Sequence, residues 1–279
     1  MMSGKQEDAF KTFERSGWER CVDAYDSAFT PLTSKAGSEM LRQLAIQPGE
    51  TVLDIACGPG HLTSLIASKG ARVTGADFSP PMIARARESY PDVSFEVQDA
   101  EALRYSDGSY DVVTMNFGML HLGSPEKAAA EVARVLRPGG RFGFTVWAQP
   151  EQAVGFSVIL KAIEQHGALH VALPAGPPFF KYSNPDTGRA LLRAAGFNSI
   201  GAEQINLIWR LSSPEEFFTA FHMGTARTGG LLRAQPAQHL SLIKGAVESA
   251  IGGQCPSGED TGLAIPMGVM VYTGRVKFE

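Results

Sequence analysis

The stretch that decides the fold is Thr51-Val52-Leu53-Asp54-Ile55-Ala56-Cys57-Gly58-Pro59-Gly60-His61-Leu62. Its first half is an apolar run with one acid, which is typical of a buried parallel strand. The run is followed by a turn with two glycines, and glycine allows a backbone to turn tightly and to lie against a ligand. The stretch therefore predicts a strand that ends in a binding turn.

The turn departs from the fingerprint of a dinucleotide site. That fingerprint, G-x-G-x-x-G at the start of a helix, presents backbone N–H groups to a pyrophosphate. Here Thr63 stands where the third small residue belongs, and Pro59 removes one N–H donor. A second acid, Asp77, ends the next apolar run, close to the roughly 20-residue spacing at which an acid accepts hydrogen bonds from ribose hydroxyls. The pattern predicts a ligand with a ribose and without a pyrophosphate.

The segment 54–60 resembles motif I of the class I S-adenosylmethionine (SAM) dependent methyltransferases. It is most similar to the type 11 group, which includes the ubiquinone and menaquinone C-methyltransferases. Further segments match the family in the same order: Asp77-Phe78-Ser79, Gln98-Asp99-Ala100-Glu101, Tyr110-Asp111-Val112-Val113 and Arg134-Val135-Leu136-Arg137-Pro138-Gly139-Gly140. Together the segments cover roughly residues 50 to 147. The resemblance implies a SAM-dependent methyltransferase that releases S-adenosyl-L-homocysteine.

The order of apolar runs and helical segments predicts an α/β fold. Strands alternate with helices between residues 60 and 138, which indicates parallel βαβ units with right-handed crossovers. Ser79-Pro80 and Ser124-Pro125 mark helix starts, because serine caps a helix and proline suits its first turn. The strands are predicted at 52–55, 72–76, 93–97, 111–115, 141–147, 198–208 and 267–276, with helices at 126–136, 154–163 and 185–195. We expect a Rossmann-like, seven-stranded, mostly parallel sheet flanked by helices, with the last two strands antiparallel at its edge, as the resemblance implies.

The 279 residues are predicted to form a single methyltransferase domain. Its parts are an N-terminal helical lid (1–49), a SAM-binding core (50–147), a substrate-side half (148–210), an inserted helical cap (211–262) and a final strand (263–279). The cap is inferred because this segment is too long for a hairpin, and Ser213-Pro214-Glu215-Glu216 in it is a capping box.

Composition limits the classes of partner and the cellular compartment that we expect for this protein. The net charge is −4 and no dense Lys/Arg run occurs, so nucleic acid is not expected as a partner. Cys21, Cys57 and Cys255 lack metal-ligand spacing and are interpreted as free thiols of a reducing compartment. The charged N-terminus and the lack of a long apolar segment favour a cytoplasmic protein that neither enters nor crosses a membrane. The oligomeric state stays open.

The resemblance also assigns the SAM-binding residues. Asp54 corresponds to the acid that meets the SAM amino group, and Gly58 and Gly60 leave room for the methionine portion. Asp77 is expected to accept from both ribose hydroxyls. The remaining contacts are assigned to Phe78 and Met82 on the adenine face, Asp99 and Ala100 at the adenine amine, Tyr25 at the SAM carboxylate, and Ala56, Asn116 and His121 along the pocket. No metal is expected.

The acceptor side is less determined. Asn116-Phe117-Gly118 departs from the Asn/Asp-Pro-Pro-Tyr/Phe motif of amino-group methylases, which disfavours nucleobase methylation. A phenol or an enol carbon would gain from a general base, and His121 is the candidate, with a wall of the SAM pocket as the alternative. His222 is a second candidate. Aromatic residues predicted to surround the acceptor are Trp147, Phe180, Tyr182, Trp209, Phe217 and Phe221, with core packing as the alternative.

The sequence thus predicts methyl transfer to a small, apolar or aromatic metabolite at oxygen, nitrogen or carbon. Two alternatives stay open: a methyltransferase of RNA or protein, and a Rossmann-type nucleotide-binding module without transfer activity. A basic site would favour the first alternative, and binding of NAD alone would favour the second.

Overall fold

The computed structural model describes residues 4–168, 170–171, 173–252 and 262–277. The helices are α1 (Gly4–Ala28), α2 (Thr30–Leu44), α3 (His61–Ser68), α4 (Pro80–Ser89), α5 (Pro125–Val135), α6 (Val154–His166), α7 (Pro185–Ala194), α8 (Pro214–Gly224), α9 (Arg227–Arg233) and α10 (Ala237–Gly252). The strands are β1 (Thr51–Ile55), β2 (Arg72–Asp77), β3 (Ser94–Val97), β4 (Tyr110–Asn116), β5 (Leu136–Trp147), β6 (Phe197–Leu211) and β7 (Leu263–Val276).

The strands form one sheet in the order β3-β2-β1-β4-β5-β7-β6. The first five strands of the chain pair in parallel, and β7 runs antiparallel to both β5 and β6. The predicted Rossmann-like, mostly parallel sheet is confirmed. The strand order reverses between β1 and β4, and a crevice at the carboxyl ends of the strands forms at such a switch point.

Three strands extend more than one residue beyond their predicted bounds. β5 begins at Leu136 rather than at 141, because Leu136 already pairs with Tyr110 and the following Pro-Gly-Gly segment is an irregularity within the strand. β6 and β7 are also longer than predicted. They pair over their whole length, from Phe197 with Val276 to Leu211 with Leu263, so the long antiparallel ladder extends both strands beyond their apolar centres.

The helix starts follow the predicted capping chemistry. Ser79 accepts a hydrogen bond from the Met82 N–H at 3.4 Å, ahead of the proline that opens α4. Ser213 accepts from the Glu216 N–H at 3.1 Å. The Glu216 carboxylate reaches back to the N–H of Ser212 rather than to that of Ser213. These caps satisfy N–H groups that the first turn of a helix leaves free.

The lid contacts the cap through its first helix, α1. Among the described residues the cap consists of α8, α9 and α10, inserted between β6 and β7, and α1 packs against α8. Phe29 joins the two, with ring centroids 4.7 Å from Trp209 and 5.5 Å from Phe221. The helices α2 and α3 pack on the sheet, where Met40 and Ile66 are buried in an apolar cluster. The inserted cap before the last strand is confirmed.

The described part of the chain contains no helix long and apolar enough to cross a bilayer. Within the same residues no three His, Cys, Asp or Glu side chains are grouped to hold a metal ion. Cys21 and Cys57 are buried free thiols, and Cys255 lies outside the described residues.

Candidate active site

A cleft lies at the carboxyl ends of the central strands, at the predicted switch point. It encloses about 1070 Å³ of empty space, its open mouth included. The ends of β1, β2, β4 and β5 form its floor, and α1 and the start of α9 cover it. Its walls include Lys11, Trp18, Tyr25, Phe29, Thr33, Ala56, Gly58, Asp77, Phe78, Met82, Asp99, Ala100, Asn116, Phe117, His121, Trp147, Phe156, Phe179, Thr225, Arg227 and Thr228.

The backbone is strained where two strands meet the cleft. Ala56, after β1, has φ of 55°, and Phe117, after β4, has φ of 56°. Side chains other than glycine rarely adopt this left-handed region, and such strain clusters at functional sites. Gly118 is fixed by the same arrangement, because a Cβ there would lie 2.6 Å from the Cβ of Ala56. The chain therefore brings two strand ends close together at the cleft floor.

Asp77 presents a buried carboxylate to the cleft. Its Oδ2 accepts from the Gly58 N–H at 3.0 Å and its Oδ1 from the Ser79 N–H at 2.9 Å. Burial raises the pKa of Asp77 to about 6, against the lowering effect of these two N–H donors. Each oxygen has a further lone pair for a ligand hydroxyl. The predicted ribose acid thus sits on the cleft wall with acceptor capacity to spare.

A smaller cleft adjoins the first and carries Asp54. It shares Tyr25, Ala56, Gly58 and Asn116 with the larger cleft. Asp54 accepts from Thr63 Oγ1 and from Thr114 Oγ1, both at 2.7 Å. Burial raises its pKa to about 6. Gly60 lines neither cleft: its φ is +89°, and a Cβ there would meet the Phe95 ring at 2.8 Å, so this glycine serves the turn.

Asp54→Asn is expected to stabilise the ligand-free fold at neutral pH. The folded state binds the Asp54 proton more tightly than the unfolded chain does, so stability is lost as pH rises from about 4 through about 6. A neutral amide escapes this loss and still bonds both threonine hydroxyls. We expect the free energy of unfolding to rise by ~1–3 kcal/mol at pH 7. Denaturant unfolding at pH 7 and near pH 4 measures this increase in the free energy of unfolding. The increase should vanish at the lower pH.

Asp111→Asn is the control, because its expected change in stability at pH 7 has the opposite sign. Although burial works against ionisation, the Arg137 guanidinium and the Thr51 N–H hold the pKa of Asp111 below its usual range. Its ionised form therefore stabilises the fold above the unfolded pKa, and Asp111→Asn should lose stability at pH 7. If both variants are less stable than the unaltered protein at pH 7, the charge on Asp54 does not destabilise the fold.

The predicted adenine end is closed by an ion pair from the lid. Lys11 Nζ lies 2.6 Å from Asp99 Oδ2 and 2.9 Å from Glu101 Oε2. Asp99 Oδ1 accepts from the Glu101 N–H at 3.0 Å. Phe78 and Met82 line the same wall. Asp99 thus lines the cleft, but its carboxylate already forms an ion pair with Lys11 of α1.

Tyr25 and Asn116 lie between the two clefts. The Tyr25 hydroxyl is 3.3 Å from Thr33 Oγ1, and burial raises the pKa of Tyr25 to about 12, so it is a neutral donor. Asn116 donates to the Thr33 carbonyl at 3.1 Å and accepts from Thr145 Oγ1 at 2.7 Å. These bonds fix both side chains at the shared wall.

His121 is held by a carboxylate from the lid. Its Nδ1 lies 3.0 Å from Glu14 Oε2, and Glu14 is fully buried. Within the described part of the chain the other ring nitrogen, Nε2, has no hydrogen-bond partner. The imidazole stands edge to face with Trp18, ring centroids 4.8 Å apart. A carboxylate on Nδ1 holds the proton there and leaves Nε2 as the acceptor, which is the arrangement of a general base.

Comparison with known proteins identifies the family. A family model described as a methyltransferase domain matches residues 52–140. A demethylmenaquinone methyltransferase of Clavibacter sepedonicus is 32% identical over 240 residues, which are 79% of this chain and 93% of that protein. The chain belongs to the class I SAM-dependent methyltransferases. Another relative, a demethylmenaquinone methyltransferase of Beutenbergia cavernae, is 39% identical over 121 residues, and the match spans only 50% of its length.

Among solved structures, the YcgJ protein of Bacillus subtilis superposes on the methyltransferase with a TM-score of 0.57. It is 19% identical, and the match covers 88% of this chain and 100% of that one. At this identity the likeness concerns the fold alone. It agrees with the strand order found here.

SAM is the methyl donor of the family, and the residues of this methyltransferase fit it. Asp77 offers free acceptor positions to a ribose, and the two adjoining clefts give a nucleoside and an amino-acid chain separate places. Gly58 leaves open space where another residue would place a Cβ, with φ of +53°. These features match a cationic adenosyl ligand rather than a dinucleotide.

Several predicted acceptor contacts lie elsewhere in the methyltransferase. Of the predicted aromatic residues and His222, only Trp147 lines the cleft. The others are Phe180, Tyr182, Trp209, Phe217, Phe221 and His222. Phe217 and Phe221 are fully buried in the core, and Trp209 donates to the Ala28 carbonyl at 3.1 Å. The core-packing alternative accounts for them, because apolar spacing cannot separate an aromatic residue that fills the core from one that lines a cavity.

His222 stacks on Phe218, and burial followed by the Arg233 charge lowers its pKa. It lies outside the cleft. Of the two candidate histidines, only His121 lines the larger cleft.

The sequence interpretation missed Lys11, Glu14 and Arg227. One signal was present for Glu14. It stands four residues after Phe10 and four before Trp18, so all three share one helix face, and a carboxylate within an apolar stripe is buried. Arg227 carries no such signal, because only the fold of the cap brings it to the cleft.

Proposed function

We propose that this methyltransferase transfers the methyl group of SAM to a small, flat, apolar molecule that carries an ionisable hydroxyl group. Methylation takes place at that oxygen or at a neighbouring carbon of the ring or enol. The observation that supports this most is the Glu14–His121 pair, which holds an imidazole on the wall of a cleft whose lining includes several aromatic rings.

The acceptor chamber is apolar. Trp147 lies 4.2 Å from Phe117 and 5.3 Å from Phe156, and Phe156 lies 5.3 Å from Phe179, all between ring centroids. These rings line the cleft next to His121. Drug-sized ligands are held in such walls with a few placed polar groups. A planar acceptor would bury its faces here and present its hydroxyl to the imidazole.

The proposed step couples removal of a proton from the acceptor to transfer of the methyl group. His121 Nε2 takes the hydroxyl proton while Glu14 stabilises the charged ring. When bound, SAM supplies a methyl carbon, and the acceptor's electron pair bonds to it as the carbon–sulfur bond breaks and its electrons remain on sulfur. For transfer to carbon, the attacked carbon then gives its own proton to water, and the ring oxygen takes back the proton held on His121, which restores the hydroxylated ring. We assign Asp77 to the ribose end and Asp54 to the amino end of SAM, an arrangement that suits a sulfonium that loses its charge in the transition state.

Catalysis in this scheme comes largely from position. Holding two reactants in line can supply up to ~7–11 kcal/mol in model systems. We propose that the lid (1–49) and the cap (211–262) close the chamber over the core, with the rest of the single domain as its floor. Lys11 from α1 and Arg227 from α9, both in the cleft wall, support this. A reducing, cytoplasmic setting is part of the proposal, in keeping with the free thiols of Cys21 and Cys57.

Two relatives are named demethylmenaquinone methyltransferases, and that name describes a flat hydroxylated or quinoid ring as acceptor. It supports the acceptor class proposed here. No basic surface run supports a polyanionic partner, since the net charge is −4.

Methyl-labelled SAM tests the proposal. The purified protein is incubated with the small-molecule, RNA and protein fractions of a cell extract and, separately, with 1,4-dihydroxynaphthalene, 1-naphthol and naphthalene. Label is expected in the small-molecule fraction and on the hydroxylated rings. Label in RNA or protein alone, or binding of NAD but not SAM in a thermal-shift assay, would contradict it.

Glu14→Gln is expected to lower turnover on the labelled acceptor by on the order of 10-fold or more, because the amide no longer fixes the proton on Nδ1. SAM affinity should stay within about twofold, since Glu14 reaches the site through His121. The double variant Glu14→Gln/His121→Gln provides the control. If Glu14 acts through His121, the double variant is no slower than His121→Gln alone; a further loss would make Glu14 independent of the imidazole.

A further inference from the structure

Arg227 stands in the cleft wall with its guanidinium held from several sides. One terminal nitrogen, Nη2, donates to the Pro177 carbonyl at 2.7 Å. The guanidinium carbon lies 5.1 Å from the Phe10 ring centroid and 5.7 Å from that of Phe179. A carbonyl and two aromatic contacts fix a planar group firmly. The orientation of Arg227 is therefore set before any acceptor arrives.

Among the residues that the structure describes, the other terminal nitrogen, Nη1, is buried and has no hydrogen-bond partner. Leaving a buried charged donor unpaired is costly, and such groups in native proteins call for a ligand or an unseen partner. Lys11, the other cation lining the cleft within the described ranges, is already paired with Asp99 and Glu101. Arg227 thus brings an unused donor to the site.

Arg227 and His121 both contact the ring of Phe179. The His121 centroid is 5.8 Å and the Arg227 guanidinium carbon 5.7 Å from the Phe179 centroid. Glu14 interacts with both side chains: its Oε2 is hydrogen-bonded to His121, and its negative charge acts on Arg227. Among the described residues its Oε1 makes no hydrogen bond. A base and a cation therefore border the same part of the chamber.

We propose that Arg227 binds the oxygen of the acceptor as that oxygen becomes an anion, so that it selects phenol- and enol-type acceptors over neutral rings of the same shape. This rests on the proposed function. The proton leaves the hydroxyl for His121 Nε2, and the negative charge left on oxygen is met by the Arg227 Nη1 donor. Arg227 is thus a specificity residue, and acceptors that lack an acidic oxygen leave its donor unpaired.

A coloured phenol tests this without knowledge of the natural acceptor. 4-Nitrophenol, whose phenolate is yellow, is titrated with pH in the presence of protein loaded with S-adenosylhomocysteine. The bound probe should lose its proton at least about one pH unit below the free probe, since a hydrogen bond to a charged group is worth a factor of about 10 or more. Arg227→Gln should abolish that shift and Arg227→Lys should restore part of it. The control Arg15→Gln, an exposed cation over the Phe78 ring, should leave it unchanged.

A measurement on the unaltered protein covers the case in which Arg227→Gln fails to fold. 4-Nitrophenolate should bind at least about 10-fold more tightly than 4-nitroanisole, its neutral methyl ether. Equal affinity for the two probes, no binding of the phenolate, or an undiminished shift in a folded Arg227→Gln overturns the inference. Failure of S-adenosylhomocysteine itself to bind in calorimetry overturns the proposed function instead.

Discussion

Asp77→Asn is expected to weaken SAM binding by on the order of 100-fold or more. Asp77 faces the larger cleft, and its two oxygens already accept the N–H groups of Gly58 and Ser79. Two ribose hydroxyls would add charge-assisted bonds, each worth ~1.5–3 kcal/mol. The amide keeps the shape of the side chain but loses the charge and one acceptor. Isothermal titration calorimetry with SAM measures the loss.

Asp92→Asn is the control for removal of one negative charge. Asp92 is exposed in the turn between α4 and β3, and its replacement should leave the affinity unchanged. Circular dichroism of both variants separates lost binding from lost fold. Unchanged affinity in a folded Asp77→Asn would show that the ribose is held elsewhere.

The same carboxylate predicts how SAM binding depends on pH. Because burial raises the pKa of Asp77 to about 6, the side chain becomes protonated as pH falls through this value. A neutral Asp77 attracts the cationic ligand less and offers fewer acceptors. Affinity should therefore decrease below about pH 6 and be constant above about pH 7. In Asp77→Asn the decrease should be smaller, with the remainder due to Asp54, whose pKa burial also raises to about 6; an undiminished decrease would show that Asp77 does not cause it.

His121→Gln is expected to lower methyl transfer to the labelled acceptor by on the order of 100-fold, because a positioned general base contributes ~10²–10⁴-fold. SAM affinity should change by no more than about threefold, since the imidazole is assigned to the acceptor and not to the donor. Turnover at saturating SAM and calorimetry with SAM measure the two effects separately.

His222→Gln is the matched control for His121→Gln. His222 packs on Phe218 outside the cleft, so its replacement should leave turnover within about twofold. Equal losses of turnover and SAM affinity in His121→Gln would make His121 a wall of the donor pocket, which is the alternative that the sequence left open.

The sequence by itself determined the fold class and the edge of the sheet at which the two clefts lie. Asp54, Gly58 and Asp77 lie in or beside a strand end, so their spacing along the chain already places them at one edge of a parallel sheet. The capping signals worked for the same reason, because a cap involves residues within one helical turn. Strand ends were less well predicted, since the β6–β7 ladder depends on pairing between distant segments.

Only the tertiary structure decided the acceptor side. Glu14, His121 and Arg227 come from the lid, the end of β4 and the cap, and no local pattern relates them. The same holds for the aromatic residues: Trp147 lines the cleft while Phe217 and Phe221 fill the core, although all three are large aromatic side chains. The physical reason is that burial and charge pairing across the cleft depend on which distant surfaces meet, whereas a strand, a cap or a glycine turn is set by its immediate neighbours.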